Sequence, residues 1–270
     1  MQSTDPRTGR HFLPARVVEN IEVAPGYSLL RVDGCQGLRG ARPGQFAMLR
    51  GEWGRDPILP RAFSILAVDG AEARFLVRHV GRGSRLLGQA RRGERMTVLG
   101  PLGNSFPAPA SGAHDLLVAG GCGLPPLQMA ALEADRTDAE VLLGARSSAD
   151  LVGVLVDQLR RRGVPLHLAT EDGSTGRRGL VTDLLEERLA ARSGEPGARI
   201  MACGPTPMLR AVRDVARRHD VTCFLSLEAE MACGLGACLG CAVERRDRTQ
   251  STYVHVCADG PVFDAEEIWP

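Results

Sequence analysis

The sequence predicts a β-barrel domain, then a doubly wound α/β domain, then a small C-terminal tail. Three observations carry this. Over residues 15–100 the apolar residues come in short runs parted by Gly, Pro and Asp, the rhythm of an antiparallel sheet or small barrel. From residue 115 apolar strands alternate with helix-length segments, the rhythm of a mostly parallel sheet. After Glu228 both patterns stop, and the rest is too short for a core of its own unless a metal staples it.

The first region reads as strands at "ARVVENIEV", "SLLRVD", "QFAMLR", "FSILAV", "ARFLVRHV" and "RMTVLG", with a helix opening in "GRGSRLL". The Pro-, Ala- and Gly-rich "FPAPASGAH" places a boundary near residue 111. Beyond it, strands at "DLLVA", "EVLLGA", "VPLHLA", "ARIMAC" and "VTCFLSL" alternate with helices at "ADLVGVLVDQLRRR", "GLVTDLLEERLAAR" and "TPMLRAVRDVARR". The expected domains are residues 1–111, 112–227 and 228–270.

At 270 residues and 44% hydrophobic, the chain can bury two cores. Its 33 basic residues, all arginine, meet 32 acidic ones for a net charge of +1. Such a balance has no pull toward nucleic acid or an anionic membrane, so small-molecule or protein partners are expected. The N-terminal "MQSTDPRTGRHFLPARVVEN" has no apolar core of a secretory signal. Residues 116–132 are broken by Gly120, Gly121, Gly123, Pro125 and Pro126, which excludes a single membrane-spanning helix. The expected location is the cytoplasm, where a reducing medium would not keep eight cysteines in disulfides. Clustered cysteines there point to a metal.

Cys233, Cys238 and Cys241 read C-x4-C-x2-C, and Cys257 follows after fifteen intervening residues. Four thiolates at that spacing suit a plant-type 2Fe-2S cluster, while a structural zinc site, which also takes four cysteines, is the alternative. Gly234, Gly236 and Gly240 allow left-handed backbone and a close approach of N–H groups to sulfur. His255 reads as a surface residue, and Cys35, Cys122 and Cys223 read as small buried hydrophobes.

"LLVAGGCGLPPLQMA" is a strand, a turn of Gly120, Gly121 and Gly123, and a proline-led helix. Such a turn presents free N–H groups where a dinucleotide pyrophosphate binds, or is a tight turn and nothing more. "IMACGPTPMLRAV" repeats the device with Cys203, Gly204 and Pro205, and Thr206 is placed to cap the next helix. Ligands of open α/β sheets sit at the carboxyl ends of strands, so the two turns support each other. Cys203 is either a buried thiol or a contact to a nicotinamide. Arg146, after "VLLGA", meets solvent or a 2'-phosphate, which leaves NAD and NADP both open. In the first region, Arg61 and Ser64 in "PRAFSI" and Gly83 and Ser84 in "VRHVGRGSRLL" suit a phosphate and a flavin ring, although exposed arginines are usually solvated.

Taken in order, these motifs resemble the electron-transfer subunits of type B dihydroorotate dehydrogenase, within the ferredoxin-reductase-like flavoproteins. "RAFS" (Arg61, Ala62, Phe63, Ser64) resembles that family's flavin motif, with Ala62 where proline is usual. "RHV" (Arg78, His79, Val80) and "GS" (Gly83, Ser84) stand where it contacts FAD again. "GGCGLPPL", "TEDGSTGRRGLVTDLL" and "CGPTPML" resemble its nicotinamide side, and "EMACGLGACLGC" with "VCADGPVF" its cluster segment. The resemblance covers nearly the whole chain. It implies FAD in the barrel, a nicotinamide on the α/β domain and a cluster in the tail. Electrons would pass from the FMN of a dihydroorotate dehydrogenase catalytic subunit through cluster and FAD to NAD, in pyrimidine biosynthesis, within a heterotetramer of two of each subunit. No general acid or base is required of this chain under that reading. The alternatives are a related subunit serving a hydrogenase or a ferredoxin-NADP transhydrogenase, and a zinc-stapled binding module without turnover.

Overall fold

The structure, a computed structural model, describes residues 9–133, 136–192, 197–247, 249 and 251–269. The reading of the N-terminus as leaderless rests in part on residues 1–8, outside the described residues, as does Pro270 at the end of the tail.

The barrel region contributes β1 (His11–Ala24), β2 (Tyr27–Asp33), β3 (Phe46–Gly51), β4 (Arg61–Ser64), β5 (Ala67–Asp69), β6 (Glu72–Arg78) and β7 (Arg95–Leu102), with α1 (Arg82–Gly88) between the last two. The strands form one antiparallel sheet in the order β4-β3-β7-β1-β2-β6-β5. The two edge strands are neighbours in sequence, so "FSILAV" is two strands around a corner rather than one. Ile65 and Leu66 make that corner. Both are buried, and their N–H groups bond the Gln45 and Arg74 carbonyls from opposite ends of the sheet, giving a barrel-like closure. Leu30, Leu38, Leu49, Phe75 and Val98 fill the inside. Asn20 reaches from β1 to the carbonyls of Leu87, Gly88 and Ala90 at 2.9–3.0 Å, satisfying acceptors that the end of α1 leaves open.

The second region contributes β8 (His114–Gly120), α2 (Leu124–Ala131), β9 (Ala139–Ala145), α3 (Gly153–Arg161), β10 (Leu166–Thr170), β11 (Arg177–Arg178), α4 (Val181–Ala191), β12 (Ala198–Cys203), α5 (Thr206–His219) and β13 (Thr222–Ser226). The tail adds β14 (Ala242–Glu244), β15 (Tyr253–His255) and β16 (Val262–Asp264). The second sheet runs β11-β10-β9-β8-β12-β13-β16, parallel except for β16. β8 is buried along its whole length, as a central parallel strand covered on both faces must be. The strand order reverses direction at β8 and β12, so a crevice opens past Gly120 and Cys203.

Two local expectations differ. "ADLVGVLVDQLRRR" is not one helix: a short turn over Ser148–Asp150 precedes α3, because Asp150 accepts bonds from Ser147 and Arg146 at 3.2 Å. Thr206 does not cap α5 through its side chain. Pro205 stands at the boundary, and Thr206 is already helical.

Buried ions fasten the parts together. Asp115 holds both Arg136 and Arg199, and those arginines donate to the Pro107 and Ala108 carbonyls of the interdomain linker. On the opposite edge of the sheet from the crevice, Glu140 meets His114, His167 and Arg188 at 2.7–2.9 Å. The tail is stitched to both larger units. β16 pairs with β13, Asn104 beyond β7 bonds the Asp259 and Val262 carbonyls and the Val262 N–H, and Arg210 of α5 lies over the Trp269 ring at 4.5 Å. Among the described residues no helix is long and apolar enough to cross a membrane.

Candidate functional site

A cleft of about 720 Å³ opens between the barrel, the glycine turn after β8 and the start of the tail. Arg61, Ala62, Phe63 and Ser64 line it from β4, and Arg78, Val80 and Ser84 line it from β6 and α1. The fold explains the grouping, since β4 contacts β6 across the closed barrel. Arg61 donates to the Leu59 and Pro60 carbonyls, and its guanidinium lies so close over Gly83 that a Cβ there would stand 2.7 Å from its Nε. Gly83 thus makes room for Arg61 rather than facing the cleft. The Ser84 hydroxyl accepts the Val80 and Gly81 N–H groups and donates to the Gly81 carbonyl, so it shapes the wall as much as it lines it. His79 is turned away from the cleft: its ring packs on Gly88, and its Nε2 meets Ser28 Oγ at 2.9 Å. Strand alternation accounts for this, because Arg78 and Val80 face one side and His79 the other.

A second cavity of about 500 Å³ lies at the carboxyl ends of β8, β9, β10 and β12. Gly120, Gly121 and Pro205 line it, as do Arg146, Asp150, Glu171 and Leu180. Gly121 adopts φ +51°, and a Cβ would meet nothing closer than the Tyr27 hydroxyl at 3.8 Å. The turn is therefore open above Gly121. Gly123 and Gly204 do not line the cavity. A Cβ on Gly123 would run into the Cys203 carbonyl, and one on Gly204 would meet Met208, so these glycines let the two turns pack on each other. Arg146 is partnered by Asp150.

Two cysteine expectations change places here. Cys203 is only 4% exposed, lines neither cavity and has its thiol pushed up by burial and by the nearby Glu228 charge, although Ser226 bonds it. Cys122, expected as a buried hydrophobe, is half-buried and lines both cavities. Its place inside the Gly121–Gly123 turn is the signal that would have found it, because a turn at a strand end points its middle residue into the crevice. Cys35 and Cys223 are buried as expected. Tyr27 and Glu228 also line the cavities, and no motif singled them out, while Glu171, from the quoted "TEDGSTGRRGLVTDLL", lines the second.

The tail gathers its four cysteines in two pairs. Cys241 and Cys257 are buried with their sulfurs 3.3 Å apart, while Cys233 and the exposed Cys238 lie together on the outer side of the loop. Backbone N–H groups aim at the sulfurs: Leu235 at Cys233 (3.3 Å), Gly236 at Cys257 (3.1 Å) and Cys257 at Cys241 (3.5 Å). Burial pulls the Cys233 thiol upward, but the N–H groups of Leu235, Cys238 and Ala237 and the Cys238 side chain outweigh it and bring it down to about 6. Burial and its Cys241 neighbour push Cys257 up to about 12. Gly236 has φ +81°. Gly240 does not share that conformation, and Leu239, at φ 62°, takes the left-handed turn beside it. Among the described residues no three His, Cys, Asp or Glu side chains converge as they would around a single ion. Two thiol pairs with N–H groups directed at sulfur suit a two-iron cluster, which asks for two ligands on each iron. His255 is half-buried beside Asp259 and stands outside the thiol set.

A barrel-like sheet, a parallel nucleotide-type sheet and a cleft between them define a ferredoxin-reductase-like flavoprotein carrying an iron-sulfur segment. The comparisons with known proteins agree. The iron-sulfur cluster binding domain of dihydroorotate dehydrogenase B matches residues 228–269, and the oxidoreductase NAD-binding domain matches residues 117–214. The dihydroorotate dehydrogenase B (NAD(+)) electron transfer subunit of Bacillus velezensis is 40% identical over 232 residues, 84% of this chain and 86% of that protein. The subunit of the same name from Caldanaerobacter subterraneus is 37% identical over 226 residues, with the same coverage. A solved structure of an NADH-dependent reduced ferredoxin-NADP oxidoreductase, studied for flavin-based electron bifurcation, superposes with a TM-score of 0.79 at 26% identity, over 94% of this chain and 89% of that one. The chain belongs to the family of dihydroorotate dehydrogenase B electron transfer subunits. It is an oxidoreductase subunit, and its cofactors are FAD, a 2Fe-2S cluster and NAD.

Proposed function

We propose that this chain carries electrons from the FMN of a dihydroorotate dehydrogenase catalytic subunit through a 2Fe-2S cluster and FAD to NAD+, in pyrimidine biosynthesis. The observation that carries this reading is the continuity of three sites. Cys122 and Arg78 line both cavities, and Ala229, Met231, Ala232 and Gly240 lead from the first into the cysteine loop. Residues 1–111 hold FAD, residues 112–227 hold the nicotinamide and residues 228–270 hold the cluster. Cys233, Cys238, Cys241 and Cys257 are its ligands.

When bound, FAD takes single electrons on one side and gives a hydride on the other. The chain's own residues orient and shield. Arg61 supplies a fixed cation for a phosphate, Ala62, Phe63 and Ser64 form the ring wall, and Gly120 and Gly121 offer open backbone to a pyrophosphate. NAD is the nicotinamide of this reading, and Arg146 stands at the mouth of its cavity in a surface pair with Asp150. The exposed Cys238, with Leu235 and Leu239 beside it, faces outward as electron entry requires. The partner holds the dihydroorotate chemistry, the assembly is a heterotetramer of two of each subunit, and it works in the cytoplasm. Anaerobic NADH is expected to bleach a flavin absorption band and raise the EPR signal of a reduced cluster. A purified protein holding zinc and no flavin sinks the reading, and capture of a ferredoxin or hydrogenase instead of an FMN protein redirects it to the related reductases.

A further inference from the structure

The second cavity is walled almost wholly by the α/β unit, yet two of its lining residues, Tyr27 and Arg78, come from the barrel. They stand directly opposite each other in the β2–β6 ladder. Tyr27 opens β2 after a tight turn at Gly26, which adopts φ +75°. Its side chain is 4% exposed and belongs to the buried apolar cluster that holds Leu117 and Ala119 of β8 and Leu124 of α2. The Arg78 guanidinium lies 5.8 Å from the ring centre, close enough for a cation–π contact. The ring is therefore held by both domains.

Packing accounts for the ring but not for the hydroxyl. A phenylalanine would fill the same apolar cluster, and a buried phenol ordinarily finds a hydrogen-bond partner. Among the described residues no group bonds the Tyr27 hydroxyl. It stands instead on the cavity wall above Gly121, 3.8 Å from where a Cβ on that glycine would lie. Burial pushes the phenol above its ordinary value, against the charge of Arg78, so the oxygen keeps its proton at neutral pH and acts as a donor. Gly120 and Gly121, where a turn opens a helix and leaves N–H groups unpaired, line the same space. An O–H from the barrel and the backbone of the glycine turn thus share one volume, and a set of donors without acceptors suits an anion.

We propose that the Tyr27 hydroxyl donates a hydrogen bond to the pyrophosphate of the bound nicotinamide dinucleotide, so that the barrel as well as the glycine turn holds this ligand. The assignment rests on the reading of the second cavity as the nicotinamide site. Tyr27 binds and takes no part in moving hydride. Its bond is made alike before and during hydride transfer, so its loss raises the NADH concentration required without slowing the step itself.

The test uses the flavin- and cluster-loaded protein with Tyr27→Phe, which keeps the ring and removes only the oxygen. ADP-ribose carries the pyrophosphate without the nicotinamide, and calorimetric titration is expected to show its affinity about 10-fold lower in the variant than in the parent. Adenosine, which carries no phosphate, is expected to displace ADP-ribose with the same affinity from both. In anaerobic stopped flow the NADH concentration that half-saturates flavin bleaching should rise by the same factor as the ADP-ribose affinity falls, while the saturated rate changes less than about 2-fold. Equal ADP-ribose affinity in parent and Tyr27→Phe overturns the assignment alone. So does a loss that adenosine shares, because it marks a displaced ring rather than a missing bond. A parent protein that binds neither ADP-ribose nor NADH overturns the reading of the second cavity and the assignment with it.

Discussion

Arg61 and Gly83 act as one device, although the sequence lets them be read as two separate flavin contacts. A methyl group on Gly83 would meet the far end of a flexible side chain, so the fold can absorb Gly83→Ala by moving Arg61. The expected result is an unfolding midpoint close to the parent and FAD affinity down about tenfold, because a displaced guanidinium loses a charge-assisted bond. Isothermal titration with FAD and a thermal melt separate the two effects, and full affinity in this variant removes the phosphate role from Arg61. The residues that motifs could reveal were those whose spacing is fixed along the chain: the four cysteines, "RAFS" and the glycine turns. His79 and Cys203 sit in the same motifs yet face away, since a strand sends alternate side chains to opposite faces. Tyr27 and Glu228 reach the cavities through tertiary closure, which no local spacing encodes.

Ion networks set how the strands of the α/β unit respond to pH. Glu140 on β9 is buried among His114 of β8, His167 of β10 and Arg188 of α4. Burial would raise its carboxyl, but bonds from His114 and Arg188 outweigh that and hold it at about 2. The Glu140 bond in turn raises His114 above its ordinary 6.5, against burial. These are one interaction seen from both partners. A depressed carboxyl stabilises the fold above its unfolded value of 4.5 and loses that contribution as pH falls toward 2. A raised histidine stabilises fully below 6.5 and loses its share as pH climbs through the folded value. The cluster is therefore most stabilising between those two limits. Glu140→Ala, which strands the buried His114 and the half-buried His167 and Arg188, is expected to cost about 3 kcal/mol there and to flatten both flanks, as urea unfolding across pH would record. Strand and helix existence was legible from hydrophobic period alone in this unit. The corner at Ile65 and Leu66 and the break before α3 were not, because each depends on bonds to distant or side-chain partners.

The molecule joins three sites through one wall, and each can be interrupted separately. Cys238→Ser removes an exposed thiol of the proposed ligand set while leaving the buried Cys241–Cys257 pair and both cavities in place. It is expected to abolish the cluster EPR signal and transfer to a partner while NADH still bleaches the flavin; a parent-like EPR signal would strike Cys238 from the ligand set. The order of barrel, α/β unit and tail was readable in the sequence, but not that the tail's last strand belongs to the middle sheet. That strand has a consequence for how the protein is made. As the chain leaves the ribosome, β13 presents an unpaired edge, which is a template for wrong pairing. Only when β16 emerges is the edge sealed, a few residues after Cys257 supplies the fourth thiol. A chain cut short before Cys257 thus lacks both the seal and the fourth thiol, so iron loading reports that synthesis has passed that point.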